Sequence, residues 1–232
     1  SFATPEGLEI GRAQAVQAEA AGIPCHTDMN PLLLKPSADT ICQVVLHGKS
    51  IGNKHAIDYF TSNNKEKLRS EVCSAFDRLA SRYSPIVLEG AGSISEINLK
   101  DVDLVNMSMA KHAEASVVLV ADIDRGGVFA SVYGSVMLLS EEERSLVKGI
   151  LINKFRGDIR LFESGVKMLE NLCGIPVVGV VPYFKDIHIE EEDSVMLQTK
   201  NRSAKDGKVN VAVVLLKHMS NFTDFNALEH DD

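Results

Sequence analysis

The sequence predicts a doubly wound α/β fold, in which helices cover both faces of a mostly parallel sheet. Two observations support this fold class. First, several short apolar runs show no alternation of apolar and polar residues, as in strands that are buried on both faces. Second, segments of helical character separate these runs, which is the order found in β-α-β units. The apolar runs are 43–47, 86–88, 116–121, 149–153 and 175–181.

Helices are predicted from periodicity and from their end signals. Gly22 and Gly174 follow helical segments directly, where glycine commonly ends a helix. Ser140 and Glu143 form a capping-box pattern, which opens a further short helix. The longer predicted helices are 9–21, 65–83, 102–113, 128–139 and 159–173.

The composition is that of an ordinary globular protein. The chain has 232 residues and a mass of 25.3 kDa, with 45% apolar and 24% charged residues. A net charge of −8 and a pI of about 5.4 argue against a nucleic-acid-binding protein and against adhesion to an anionic membrane. The four cysteines form no C-x-x-C pair, and no apolar run is long enough to span a bilayer. A cytoplasmic protein with reduced thiols is therefore expected.

A change of character after Pro182 predicts the domain organisation. Residues 1–185 are predicted to form the α/β domain, and residues 186–208 are acidic and polar, as expected for a linker. A new apolar strand begins at Val209. Residues 209–232 are therefore predicted to open a second domain.

Ligands of open parallel sheets bind beyond the carboxyl ends of the strands, so the residues that follow each predicted strand are the candidate site. Glu89 follows the run 86–88 and is itself followed by Gly90 and Gly92. A carboxylate here could hold Mg²⁺ while the glycines let phosphate oxygens approach the backbone. The alternative is an exposed glutamate in a simple turn.

The segment that follows the run 116–121 has two acids, an arginine and two glycines. Asp122, Asp124 and Arg125 precede Gly126 and Gly127. These groups could bind a metal, a phosphate or a substrate carboxylate near the start of the next helix. The alternative is an N-cap aspartate with an ion pair to Arg125.

The run 149–153 ends in Asn153-Lys154, which is similar to the base-reading position of nucleotide-binding folds. In GTP-binding proteins an aspartate stands three residues after the asparagine, and here that place holds Arg156. Adenine is therefore expected rather than guanine. The alternative is a polar loop in which Asn153 bonds to backbone groups. Pro182 and Tyr183 could line one side of a purine pocket.

Neither of the two common phosphate-binding glycine motifs occurs in the chain. There is no G-x-x-x-x-G-K-[ST] and no G-x-G-x-x-G. A Mg-ATP site in this fold class needs a glycine-rich loop and a lysine on the phosphates. The glycine clusters at 90–92 and 126–127 are not followed by Lys-Ser or Lys-Thr.

Several long motifs resemble those of the cobyric acid synthase family, in the family's order and from end to end. The motifs are EIGRAQA at 9–15, DMNP at 28–31, EGAGS at 89–93, EINL at 96–99, DIDRGGVFAS at 122–131, NKFRGD at 153–158, EEDS at 191–194 and NFTDF at 221–225.

The resemblance implies a P-loop NTPase-like synthetase domain, similar to dethiobiotin synthetase. Enzymes of this family use ATP and glutamine to convert four peripheral carboxylates of adenosylcobyrinic acid a,c-diamide to amides, through acyl phosphates. The resemblance also implies residue roles: Glu89 and, as a second acid, Glu9 at Mg²⁺; Asn153, Lys154, Pro182 and Tyr183 at the nucleotide; and Asp124 and Arg125 at the tetrapyrrole carboxylates or the phosphates.

The resemblance further implies that the family's P-loop strand and first helix precede Ser1. It also implies that residues 209–232 are the start of the family's glutamine amidotransferase domain, whose glutaminase triad follows Asp232. Residues 1–232 alone are therefore expected not to hydrolyse ATP. The expected partners are a corrinoid substrate and glutamine, with self-association left open. Two rival interpretations are a nucleotide-switched partitioning or scaffold ATPase of the same fold and a degenerate, non-catalytic module.

Overall fold

The computed structural model of the chain describes residues 1–38, 41–55, 62–184, 206–207, 209–212 and 214. The predicted linker at 186–208 and the predicted second domain at 209–232 lie almost entirely outside these described residues, so both stay predictions. Within the described residues, no helix combines the length and the apolar character that crossing a membrane requires.

The chain divides into two compact units. The first unit contains Ser1–Ser37 and Gln43–Asn53, and the second contains Ala38–Cys42 and Lys54–Asp186. In the first unit two short strands pair antiparallel, and three further strands form a sheet in chain order. Its elements are β1 (Phe2–Ala3), β2 (Glu9–Ile10), α1 (Arg12–Ala20), a 3₁₀ turn (Thr27–Met29), β3 (Leu32–Ala38), β4 (Ile41–Leu46) and β5 (Lys49–His55).

The prediction that the run 43–47 belongs to the parallel sheet is wrong, because this run lies in β4 of the first unit. Only His47 and Gly48 separate β4 from β5, and both have positive φ, at 47° and 76°. A two-residue connection joins antiparallel strands, and positive φ at both positions matches a type I′ hairpin turn. A short apolar run does not reveal which strand will be its partner.

The second unit contains a parallel sheet of three strands in the order β6-β7-β8. The strands are β6 (Val117–Asp122), β7 (Val147–Phe155) and β8 (Val177–Pro182). They confirm the predicted strands near 116–121, 149–153 and 175–181, and with them the α/β class. In the ladder Asp122 lies opposite Asn153, and Phe155 lies opposite Pro182, so the three carboxyl ends meet at one edge.

Among the described residues, five helices accompany this sheet. They are α2 (Ser62–Ala80), α3 (Met107–His112), α4 (Val128–Leu138), α5 (Glu141–Leu146) and α6 (Glu163–Cys173), with 3₁₀ turns at Ile97–Val102 and Ile159–Phe162. Val132 of α4 and Leu169 of α6 pack against Ile150 and Ile152 of β7, and all four side chains are buried. This cluster is the core of the unit.

The opposite face of the same sheet carries apolar side chains that remain exposed. Val118 and Val120 alternate along β6 with Leu119 and Ala121 of the core, and they are 46% and 58% exposed. Val178 of β8 is 56% exposed. Among the described residues, helices therefore cover one face of this sheet more fully than the other.

The predicted strand at 86–88 is absent, because these residues have no regular structure and Val87 is 91% exposed. A strand exists only when a neighbour completes its hydrogen-bond ladder, and within the described part of the chain no strand pairs with this segment. Two helices also begin later than predicted: α1 at Arg12 rather than at residue 9, and α3 at Met107 rather than at residue 102.

The capping box at the start of α5 is confirmed. The Ser140 hydroxyl accepts a hydrogen bond from the Glu143 backbone, and the Glu143 carboxylate accepts one from the Ser140 backbone and another from Lys100 Nζ. Burial raises the pKa of Glu143, but the hydrogen bonds from Lys100 and Ser140 outweigh it and lower the pKa from 4.5 to about 2. The ionised carboxylate is thus part of the folded state.

This lowered pKa predicts a loss of stability in acid. Because the folded pKa lies below the unfolded one, the contribution of Glu143 is complete above pH 4.5 and is lost as the pH falls toward about 2. We expect about 2 kcal/mol, allowing for solvent screening at the half-exposed Lys100. Urea unfolding of the wild type and of Glu143→Gln at pH 7 and pH 3 measures this. Equal pH dependence in the two proteins would contradict it.

Candidate functional site

The loop that follows β6 is folded by its own aspartates. The Asp122 carboxylate accepts a hydrogen bond from the Asp124 backbone N–H at 2.9 Å, and the Ile123 N–H donates to the Asn153 carbonyl at 3.1 Å. Gly127 then has a positive φ of 71° at the N-cap of α4. The loop is thereby held beside the end of β7.

Two ion pairs join the end of β6 and the loop after it to the end of β7 and the loop after it. Lys154 Nζ lies 2.8 Å from Asp122 Oδ2, and Arg156 Nε lies 2.5 Å from Asp124 Oδ1. Arg125, which is 87% exposed, lies 3.9 Å from Asp122. The strand ends therefore carry a cluster of alternating charges, which we call the strand-end cluster: Asp122, Asp124, Arg125, Lys154 and Arg156.

These contacts shift the pKa of two residues in the cluster, Asp122 and Arg156. The hydrogen bond from Lys154 is the main cause that lowers the pKa of Asp122. The hydrogen bond to Asp124 is the main cause that raises the pKa of Arg156. Both shifts favour the charged forms of Asp122 and Arg156.

The end of β8 adds an aromatic ring to the cluster. The Tyr183 backbone N–H donates to the Phe155 carbonyl at 2.8 Å, which fixes the residue after Pro182 beside β7. Arg156 Cζ then lies 3.4 Å from the centroid of the Tyr183 ring. Cation and ring are in direct contact.

Asn153 makes a local contact at the end of β7. Its Oδ1 accepts a hydrogen bond from the Lys154 backbone N–H at 2.9 Å, and Lys154 has a positive φ of 60°. This contact is the backbone-bonding alternative considered for Asn153, and its role at the nucleotide stays a prediction.

The loop that contains Glu89 is held by the side chain of Asn106. Asn106 Nδ2 donates to the Ala91 carbonyl at 2.7 Å, and Asn106 Oδ1 accepts from the Ala91 N–H at 3.1 Å. A Cβ at Gly90 would lie 2.4 Å from that Oδ1. Asp103 in turn accepts hydrogen bonds from the Val105 and Asn106 N–H groups. Glu89 is exposed on this anchored loop.

Removing this anchor should loosen the Glu89 loop without unfolding the protein. We expect Asn106→Ala to cost about 1–2 kcal/mol for the lost hydrogen bonds. In a polypeptide of full length, we also expect a higher Mg²⁺ concentration for half-maximal activity. Ser108→Ala, in the helix that Asn106 precedes, is the matched control. An unchanged Mg²⁺ dependence in Asn106→Ala would show that the anchor does not serve the site.

Glu9 belongs to the first unit. Its carboxylate accepts a hydrogen bond from Lys35 Nζ at 2.6 Å. Burial raises its pKa, but the hydrogen bonds from Lys35 and Ser1 and the positive charges of Lys35 and the N-terminus together lower it more, so the net shift is downward. Its predicted place at the metal stays a prediction. The described residues contain no group of three or more His, Cys, Asp or Glu side chains that could hold a metal by themselves.

A known protein family matches the part of the chain that forms this arrangement. The AAA domain family matches residues 52–191, a stretch that includes all three parallel strands and the strand-end cluster. The chain belongs to this family. The match confirms the P-loop NTPase-like fold class that the resemblance implied.

Relatives of this AAA-domain chain share high identity with it over nearly all its residues. It is similar to proteins named cobyric acid synthase from Bacteroides fragilis (78% identity, 100% of this chain, 47% of the relative), Phocaeicola vulgatus (72%, 100% and 47%) and Chlorobium phaeobacteroides (53%, 97% and 46%). The chain spans about half the length of these curated relatives. The predicted resemblance is therefore confirmed. No solved structure matches the chain.

The structure brings six of the eight predicted site residues to one edge of the parallel sheet. These six are Asp124, Arg125, Asn153, Lys154, Pro182 and Tyr183. Sequence reasoning named Asp122 among the groups that could bind a ligand, but it did not select Arg156 or Asn106 as site residues. For Arg156 a signal existed, since it stands at a strand end, whereas nothing in the sequence indicated that Asn106 bonds to Ala91.

Proposed function

We propose that this chain is the synthetase part of a longer ATP- and glutamine-dependent amidotransferase that acts on the peripheral carboxylates of adenosylcobyrinic acid a,c-diamide and gives adenosylcobyric acid. The observation that carries the proposal is the 78% identity over 231 residues to a protein named cobyric acid synthase. The strand-end cluster supports it, because cations and an aromatic ring stand together where this fold class binds ligands.

The chemical problem is the poor reactivity of a carboxylate. Transfer of a phosphoryl group from ATP gives an acyl phosphate, from which ammonia can displace phosphate. The protein must hold two anionic reactants in line and exclude water from the intermediate. In this proposal Arg125 and Lys154 offset negative charge on the phosphates or on the substrate carboxylate, and Asp122 holds Lys154 in place.

The donor chemistry fits a Mg²⁺ ion at Glu89. Mg²⁺ prefers oxygen ligands and is commonly bound by one or two carboxylates together with substrate phosphates and water, so a larger protein cluster is not required. When bound, the ion would neutralise phosphate charge. Asn106 and Asp103 keep the loop of Glu89 in a fixed shape.

The test uses the full-length polypeptide with adenosylcobyrinic acid a,c-diamide, ATP, Mg²⁺ and glutamine, and follows amide formation by mass spectrometry. We expect products that carry up to four new amides and whose formation depends on ATP. Folded protein that hydrolyses ATP but forms no amide would reject the proposal in favour of a nucleotide-switched partitioning or scaffold ATPase.

A further inference from the structure

Arg156 is held from two sides. Its Cζ lies 3.4 Å from the centroid of the Tyr183 ring, which is so short that the guanidinium plane must lie flat on the ring. Its Nε donates to Asp124 Oδ1 at 2.5 Å. Tyr183 is itself fixed, since its backbone N–H donates to the Phe155 carbonyl. The loop after β6 and the end of β8 together set the orientation of the guanidinium.

The position of Arg156 in the sequence indicates what the oriented guanidinium recognises. Arg156 stands three residues after Asn153, where GTP-binding proteins have an aspartate. A carboxylate only accepts hydrogen bonds and therefore suits guanine, which offers N1–H and 2-amino donors on that edge. A guanidinium only donates. It conflicts with those guanine donors and instead suits the N1 acceptor of adenine.

We infer that Arg156 is the residue that selects adenine over guanine, by donating from a terminal amino group to N1 of the base. Tyr183 and Asp124 act through Arg156, as residues that position it. The inference rests on the proposed function, which supplies ATP as the nucleotide. Because Arg156 covers one face of the Tyr183 ring, the inference assigns the apolar contact with the base to Pro182.

Four nucleotides that differ at N1 of the base test whether the site selects adenine over guanine. ATP and purine riboside triphosphate both have an acceptor at N1, whereas GTP and inosine triphosphate both have a donor there. For the full-length wild type, we expect equilibrium binding and kcat/KM for amide formation to favour the first pair. The expected preference is about tenfold or more, as for other well-formed contacts to base edges.

Variants of Arg156 then test the residue itself. Arg156→Gln should reduce the preference for ATP over GTP by about tenfold, and Arg156→Asp should reverse its direction. Arg160→Gln is the matched control, because Arg160 is a neighbouring arginine that is 80% exposed and ion-paired with Asp158. Its ATP preference should equal that of the wild type. Circular dichroism melting verifies that each variant is folded.

Two outcomes would overturn the inference. One is a wild type that binds inosine triphosphate as well as ATP. The other is an Arg156→Gln protein that is folded and keeps the full preference for ATP. Both are read from nucleotide binding, which needs no amide formation. Absence of amide products, by contrast, would reject the proposed function and leave the binding result to decide on Arg156.

Discussion

A Glu89→Gln change in the full-length polypeptide is expected to lower the rate of ATP-dependent amide formation by about a hundredfold. The reason is that a carboxamide is a much weaker ligand than a carboxylate for Mg²⁺. A bound metal contributes several kcal/mol to charge stabilisation in the transition state. Each 1.4 kcal/mol changes the rate by about tenfold. Steady-state assays at saturating ATP over a range of Mg²⁺ concentrations measure the effect.

The matched control for this experiment is Glu114→Gln. Glu114 is an exposed glutamate in the turn that follows α3, and its replacement should leave the rate within about twofold of wild type, as for most surface changes. Normal amide formation by folded Glu89→Gln would contradict the assignment of Glu89 to Mg²⁺. The loop anchored at Ala91 would then have no role in metal binding.

The second large effect is expected for stability, at Gly48. Its φ of 76° lies in the left-handed region, and an added Cβ would lie 2.6 Å from Leu8 Cβ, 2.8 Å from Thr27 Cγ2 and 2.9 Å from the Glu9 backbone nitrogen. Left-handed backbone costs an alanine about 1 kcal/mol, and overpacking adds about 1–3 kcal/mol. We therefore expect Gly48→Ala to lower the free energy of unfolding by about 3 kcal/mol.

Gly22→Ala separates the two causes. Gly22 has a similar φ of 70°, but an added Cβ there would meet no atom within 4 Å. The control should therefore lose only the backbone contribution of about 1 kcal/mol. Urea denaturation of both variants, with hydrogen exchange at the amides of β4 and β5, measures the difference. Equal losses would mean that the hairpin turn does not pack against Leu8 and Thr27 in solution.

The parts of the fold that depend on local signals could be predicted from the sequence. The runs that became β6, β7 and β8 are apolar and lie between helices, and Gly174 ends α6 with a positive φ of 66°. Residues 86–88 have an equally apolar run but form no strand, because strand formation depends on a neighbour that no local pattern reveals. The run in β4 was assigned to the wrong sheet for the same reason, since its partners are β3 and, across a two-residue turn, β5.

The site was predictable to the extent that it follows strand ends. Asp124, Asn153 and Tyr183 were selected by position alone, and the parallel ladder then brought their loops together. Side-chain partners were not predictable in this way. The contact of Arg156 with Asp124 spans thirty-two positions of the chain, and it depends on the register between β6 and β7, which the sequence does not state.

The ion pairs at the sheet edge also bear on how quickly a ligand arrives. Counting only Asp122–Gly127 and Asn153–Gly157, three cationic side chains face two carboxylates. An approaching polyanion thus meets a locally attractive field on a chain whose net charge is −8. Diffusional encounter should accordingly be fastest in dilute buffer and slow as added electrolyte shortens the range of that attraction.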